Sequence, residues 1–201
     1  SGVEAVAELN DFVRSAAKSF RNVPPEDIRV VLLHAGGLIL PELPKNLAEF
    51  AQRLLMKRGV ELRLNTRLAG ATAEAALLTG GERIETRTLV STVPGGPNPV
   101  VSALDCPKDR GRIVTDPHLE VPGHAGVWAV GDCALIVDAT TGEPSPPTAQ
   151  HATREGRCAA ENIAATLGGS AKRAFAFKAL GKMGSLGHRS AVAEVFGLKL
   201  S

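Results

Sequence analysis

Gly131-Asp132 follows the apolar run Val127-Trp128-Ala129-Val130, and further on comes Pro146-Pro147-Thr148-Ala149-Gln150. An aspartate just after a glycine at the end of an apolar strand is poorly suited to packing. It is well suited to hydrogen-bonding a ligand hydroxyl, because the carboxyl end of a strand faces the crevice where α/β folds bind ligands. The proline-threonine segment opens a helix, which aims its free N–H groups and partial positive charge at a ligand. Strand, acidic turn and helix N-terminus together make half of a cofactor site. The competing structural reading of Asp132 is an N-cap for a following turn.

These residues carry a resemblance. Val127-Trp128-Ala129-Val130-Gly131-Asp132-Cys133 resembles the second flavin-contacting motif of the two-dinucleotide-domain, FAD-dependent pyridine nucleotide oxidoreductases. Pro147-Thr148-Ala149-Gln150-His151-Ala152, followed by Glu155-Gly156, is similar to the Ala-Gln segment of the type II NADH:quinone dehydrogenases of that superfamily. The order of pieces agrees along nearly the whole chain. The resemblance implies that Gly131 and Asp132 meet the ribityl or pyrophosphate region of the flavin. It places Thr148, Ala149 and Gln150 beneath the isoalloxazine ring, where helix N–H groups stabilise negative charge on the reduced flavin. It also turns Gln150 toward the quinone. Arg154 stands one turn later, where the motif has a second glutamine, and is the other quinone-side position.

The same resemblance points to a nicotinamide nucleotide site. Dinucleotide folds use Gly-x-Gly-x-x-Gly, with glycines for the tight turn, for pyrophosphate approach and for close helix packing. Gly2 matches the last of these, with no strand before it. Glu4 matches a glutamate near the nicotinamide and flavin rings; its bland alternative is a solvated first-turn carboxylate favoured by the helix dipole. His34 ends the strand Ile28 to Leu33, where an acidic residue usually meets the adenosine ribose. No arginine follows at once, so NADH and NADPH both stay open, and His34 also reads as a polar strand cap. Gly95, in Val93-Pro94-Gly95-Gly96, suits close approach of a dinucleotide without a Cβ clash. It suits a plain linker equally well.

The periodicity predicts the elements that position these residues. Gly2 to Phe20 reads as a helix with Val3, Val6, Ala7, Leu9, Phe12 and Val13 on its apolar face. Residues 22–27 read as a loop and Ile28–Leu33 as a strand. Pro44–Arg58 reads as a helix closed by Gly59, and Val60–Leu64 as a strand. Hairpin strands follow near Ala75–Leu78, Arg83–Thr88 and Leu89–Val93. Beyond a glycine- and proline-rich connector come strands at Arg112–Thr115 and Val127–Val130, then a long helix over Ala149–Leu167. Phe175–Lys178 alternates like an edge strand, and Ala191–Leu200 starts an apolar helical pattern. Alternation of helix and strand predicts α/β layers with a largely parallel sheet.

Composition narrows the classes. With 201 residues there is length for one large domain or two small ones, and 44% apolar with 22% charged residues is ordinary for a globular protein. A formal net charge of +2, 3% aromatics and no tyrosine disfavour a nucleic-acid role. Cys106, Cys133 and Cys158 form no Cys-x-x-Cys pair and no zinc-site spacing, so no metal is expected. No stretch has the 18 or so consecutive apolar residues of a membrane span.

The resemblance therefore implies a partial α/β, Rossmann-like flavoprotein fold with two dinucleotide-binding domains. Residues 1–95 are expected to bind NAD(P)H, 96–170 to form the C-terminal part of the FAD-binding domain, and 171–201 to begin a membrane-associating region. The implied activity is that of a type II NADH:quinone oxidoreductase, with FAD and NAD(P)H as cofactors and a quinone as acceptor. The implied location is cytoplasmic, peripheral on the membrane surface in the full-length protein; a homodimer is one assembly it allows. The opening Ser1-Gly2-Val3-Glu4 reads as a cut, and the first FAD-binding glycine unit is missing from the sequence. A fragment inactive by itself is thus the expectation. Two rivals stand beside it: a sulfide:quinone or other flavin-dependent oxidoreductase using Cys133 and Cys158, and a non-catalytic nucleotide-binding module.

Overall fold

The computed structural model describes residues 2–93, 96–179, 181–195 and 197–200. In chain order its elements are α1 (Gly2–Ala17), a 3-10 turn (Pro25–Asp27), β1 (Val30–Leu33), α2 (Lys45–Lys57), β2 (Val60–Arg63), β3 (Leu68–Ala71), β4 (Ala75–Leu78) and β5 (Arg83–Glu85). There follow α3 (Pro99–Ala103), β6 (Lys108–Asp109), β7 (Arg112–Val114), a 3-10 turn (Gly131–Cys133), β8 (Ala134–Leu135) and α4 (Ala149–Leu167). Three strands end the chain: β9 (Gly181–Ser185), β10 (Ala191–Val195) and β11 (Leu198–Leu200). Two compact units result, one from 1–93 with 180–201 and the other from 94–179. The region 171–201, which reads from the sequence as one piece, is divided between them.

In the first unit β1 and β2 pair in parallel, Val30 opposite Val60 through Leu33 opposite Arg63, with α2 as the crossover between them. A parallel pair needs such a crossover, whereas the short links among β3, β4 and β5 and among β9, β10 and β11 allow only antiparallel pairing. The expected largely parallel sheet is therefore replaced by small sheets with two parallel pairings, β1–β2 and β7–β8. Ile39, Leu55, Leu186 and Val192 are fully buried in this unit's core. Each such side chain stabilises the fold by roughly 1.5–3 kcal/mol relative to exposure.

The inward face of α1 differs from the expected one. Val3, Val6 and Ala7 are buried, but Leu9 and Phe12 are exposed and Asn10 takes the buried position. The reason is polar: Asn10 Nδ2 donates to the Arg58 carbonyl at 3.1 Å, and Asn10 Oδ1 accepts from Arg14 Nε at 2.9 Å. The amide thereby satisfies a carbonyl at the C-terminal end of α2, which has no partner inside its own helix.

The C-terminal strands replace the helix expected over Ala191–Leu200. Val192 is buried between more exposed neighbours, and β9 supplies a partner strand, Ala191 opposite Ser185 through Val195 opposite Gly181. Side chains from the helices hold this hairpin. Asp11 accepts the His188 N–H at 2.7 Å, and Arg58 donates to the carbonyls of Leu186 and His188.

In the second unit Ile113, Leu119, Val121, Ala134, Ile136 and Phe175 are buried in the core. Val127–Val130 is not a strand, apart from one bridge between Glu120 and Trp128. Its bonds go to tight turns: Val121 N–H to the Val127 carbonyl at 2.8 Å and Ala129 N–H to the Leu119 carbonyl at 3.2 Å. Phe175–Lys178 alternates in burial but joins no ladder, because Phe175 N–H donates to the Pro117 carbonyl and its own carbonyl accepts from Ala139. Leu89–Val93 also lies outside any strand. By contrast α4 runs from Ala149 to Leu167 as its cap residues predict.

Candidate functional site

The turn at Gly131-Asp132 lies against α4. Gly131 has a φ of 72°, a conformation that costs a side-chain-bearing residue more than glycine. Its N–H donates to Glu155 Oε2 at 2.8 Å. The Asp132 carboxylate is exposed and has no side-chain partner among the described residues. Thr148 caps α4: its Oγ1 accepts the His151 N–H at 3.3 Å and also lies 2.8 Å from His151 Nδ1. The Ala149 N–H, at the first position of the helix, has no acceptor among the described residues.

Gly131, Asp132, Thr148 and Glu155 line one small crevice together with Arg112 and Pro147. Arg112 Nη2 reaches the Ser145 carbonyl at 3.5 Å, while its Nε is buried with no hydrogen-bond partner among the described residues. A buried donor left unpaired is costly in a protein interior. Exposed carboxylate, orphaned guanidinium N–H and open helix N–H make a donor and acceptor set for a ligand carrying hydroxyls and anionic oxygens.

One turn along α4 lies a second group. Arg154 Nη1 donates to the Gln150 carbonyl at 2.9 Å, and its guanidinium lies over the Phe177 ring, 4.3 Å from the centroid. His151 meets the same ring edge-on at 5.1 Å. Phe177 is seated by Asp138, whose Oδ2 accepts the Phe177 N–H at 2.6 Å; Oδ1 accepts from Thr140 and Thr141 at 2.8 and 3.1 Å. Burial pushes the Asp138 carboxyl up, but these backbone donors outweigh it and hold the group below the ordinary carboxylate range. Burial also pushes the Cys158 thiol up, which leaves it a poor nucleophile.

Sequence reasoning missed Asp138, Phe177 and Arg112, and it named Glu155 only as part of a motif. An aspartate before Thr140-Thr141 is a signal for a side chain that bonds its own backbone a few residues on. Nothing in the sequence marks Phe177 as the seat of Arg154.

In the first unit Gly2 opens α1 where a Cβ would overlap Thr92 Oγ1, so the glycine permits close packing there. Glu4 Oε1 accepts the Ser185 N–H of β9 at 3.2 Å, and Glu8 accepts from the Ser185 hydroxyl at 2.9 Å. His34 extends the β1–β2 pairing: its N–H donates to the Arg63 carbonyl at 2.9 Å, and its carbonyl accepts from Thr66 at 3.0 Å. Its ring folds beside Gly36. Gly95 lies outside the described residues. Among the described residues no group of three or more His, Cys, Asp or Glu side chains could hold a metal ion, and no helix is long and apolar enough to cross a membrane.

The chain is similar to known proteins over most of its length. The pyridine nucleotide-disulphide oxidoreductase family matches residues 1–156. A probable NADH dehydrogenase of Dictyostelium discoideum is 30% identical over 205 residues, which take in 100% of this chain and 45% of the relative. The mitochondrial internal alternative NAD(P)H-ubiquinone oxidoreductase A1 of Arabidopsis thaliana is 32% identical over 207 residues, 97% of this chain and 40% of that protein. The chain thus spans less than half the length of these relatives. The solved structure of NDH2 from Plasmodium falciparum in complex with NADH shares the fold, with a TM-score of 0.84 at 14% identity over 98% of this chain and 56% of that one.

Proposed function

The chain belongs to the pyridine nucleotide-disulphide oxidoreductase family, and from that premise we propose that the protein takes a hydride from NAD(P)H with FAD and passes the electrons to a quinone. The observation that carries this reading is the crevice where the Gly131-Asp132 turn meets the N-terminus of α4. Its inventory fits FAD: Asp132 can accept from a ribityl hydroxyl and Arg112 Nε can donate to an anionic oxygen, while the Ala149 N–H, next in the chain to the crevice's Thr148, is a further open donor. FAD, when bound, supplies the electron relay between nicotinamide and quinone. The names of the relatives, NADH dehydrogenase and NAD(P)H-ubiquinone oxidoreductase, support the same donor and acceptor.

The chain's residues then have distinct tasks. Gly2 and His34 belong to the nicotinamide nucleotide, and Glu4 holds a carboxylate in the first turn of α1 to assist proton movement. Thr148 keeps the first turn of α4 ordered, so that its N–H groups present a fixed positive end to negative charge. Gln150 and Arg154 face the quinone; with one nitrogen on the Gln150 carbonyl and its plane on Phe177, Arg154 keeps further donors for a quinone oxygen. A peripheral location on the cytoplasmic face of a membrane belongs to the same proposal. Met183, Leu198 and Leu200 support it, standing exposed on the C-terminal sheet.

The test uses the protein as its gene encodes it, charged with FAD and mixed anaerobically with NADH or NADPH. Flavin absorbance should bleach with at least one nucleotide and recover on addition of a soluble quinone. Bound FAD that neither nucleotide bleaches would defeat the proposal. The sulfide reading loses Cys158 as a nucleophile, because burial pushes that thiol up, and blocking the thiols, the half-buried Cys133 included, should leave the quinone reaction intact.

A further inference from the structure

Glu155 has no task in the proposed chemistry, yet it is a carboxylate only 3% exposed. A buried carboxylate is costly unless it is hydrogen-bonded. Its Oε2 is bonded to the Gly131 N–H at 2.8 Å, tying α4 to a turn that precedes it by 24 residues. The turn runs close to Ala152, one helical turn earlier, whose Cβ lies 3.7 Å from where a Gly131 Cβ would stand. Asp132 comes next in the chain, and its carboxylate has no partner to hold it among the described residues. Asp132 is therefore set by the backbone around it: the Ala134 N–H holds the Gly131 carbonyl and Cys133 Sγ the Val130 carbonyl, while Glu155 alone ties the turn to α4 through the Gly131 N–H among the described residues.

We propose that Glu155 is a positioning residue: by accepting the Gly131 N–H it sets the Asp132 carboxylate at the crevice, so cofactor affinity depends on a side chain acting through the turn. An acceptor oxygen on the helix reads the turn's backbone whatever side chains the turn carries, and the bond offsets the cost of burying the polar group. The inference rests on the flavin reading of the crevice.

Two substitutions test it in the protein as its gene encodes it. Glu155→Ala removes the acceptor, whereas Glu155→Gln keeps an amide oxygen that can still take the Gly131 N–H. FAD affinity, followed by quenching of flavin fluorescence, should fall about tenfold or more in Glu155→Ala and stay within about threefold in Glu155→Gln. In the ligand-free protein, exchange of the Gly131 amide should quicken in Glu155→Ala and not in Glu155→Gln. A thermal melt of each variant shows that it folds; should Glu155→Ala fail to fold, Gln against Asp, whose shorter carboxylate cannot span the same distance, carries the comparison. Equal FAD affinity in wild type, Ala and Gln variants would overturn the inference and leave the flavin reading standing. Flavin bound by none of them would overturn the flavin reading and the positioning role with it. Faster Gly131 exchange in that case would mark Glu155 as a structural clip alone.

Discussion

The two units bury different things. In the unit formed by 1–93 and 180–201 the fully buried side chains are aliphatic, such as Ile39, Leu55 and Leu186, with Asn10 the polar exception among the described residues. In 94–179 the described buried set includes Asp138, Ser145, His151, Glu155 and Asn162. The difference follows from the backbone. Among the described residues the first unit has two helices and eight strands, whereas the second has, beside α3 and α4, only strands of two or three residues joined by long turns. Buried N–H and C=O groups outside regular structure still need partners, and here side chains supply them. Asn162 donates to the His118 and Arg173 carbonyls at 2.8 and 2.9 Å and accepts the Arg173 N–H at 2.9 Å. Asp138 serves Phe177, Thr140 and Thr141 in the same way. Gly131 and Asp132, read as part of a site, lie in a turn held by such a clip from Glu155, which is how an irregular segment acquires a fixed geometry.

Truncations in each unit should expose the contrast. Leu55→Ala in the first unit should cost about 3 kcal/mol, the usual loss when a fully buried leucine leaves a cavity. Amide exchange should quicken chiefly within 1–93 and 180–200. Asn162→Ala should cost about 2 kcal/mol, because it strands three backbone groups in an interior, and should loosen 172–177 first. Chemical denaturation gives the sizes and residue-resolved exchange the places. If Asn162→Ala proves neutral while Leu55→Ala does not, polar clips do not hold the second unit and the contrast is superficial.

What the sequence revealed follows the same division. The helix Ala149–Leu167 could be read to the residue because Thr148 and Gly168 mark its ends chemically. β1, α2 and β2 could be read to within a residue or two, since their apolar periodicity is the whole of their packing logic. Val127–Val130 and Phe175–Lys178 misled for a common reason: the first has the apolar run and the second the alternation of a strand, but their backbone partners lie in irregular segments, near in sequence for the first and distant for the second. Ala191–Leu200 has helix-favouring residues, and only the neighbouring β9 makes it a hairpin, a tertiary override that local propensity does not contain. In the site, Gly131, Asp132 and Thr148 were legible because their backbone demands show in their residue types. The bonds that hold them were not: Gly131 to Glu155 spans 24 residues, and Glu4 to Ser185 spans 181.

Acid should separate the units next. The Asp138 carboxyl sits below its ordinary value when folded, so it binds a proton more readily in the unfolded chain. Its contribution is therefore complete above the unfolded carboxylate value near pH 4 and is lost as pH falls through the lower folded value. Acidification from about pH 5 should weaken the segment around Phe177, and Asp138→Asn should flatten that part of the stability profile. Fluorescence and amide exchange against pH supply the measurement. An unchanged acid limb in the variant would mean that the backbone donors around Asp138 gain nothing from its charge.

The smallest expected effect lies on the first unit's surface, and it bounds how far polar contacts matter there. Glu61 on β2 accepts from Arg29 at 2.9 Å and from Arg63 at 2.6 Å, and the Arg29 hydrogen bond is the main cause that holds its carboxyl below the usual range. The Arg29 and Glu61 side chains are 52% and 35% exposed, however, so water and salt screen what the geometry suggests. A double-mutant cycle with Arg29→Ala and Glu61→Ala should give a coupling of about 0.5 kcal/mol or less, shrinking further at high salt. A coupling as large as the Asn162→Ala loss, and indifferent to salt, would add a surface pair to the buried Asn10 as a structural polar clip of the aliphatic unit. The contrast would then lie in how many buried side chains serve as clips, and no longer in how little the first unit draws from polar contacts.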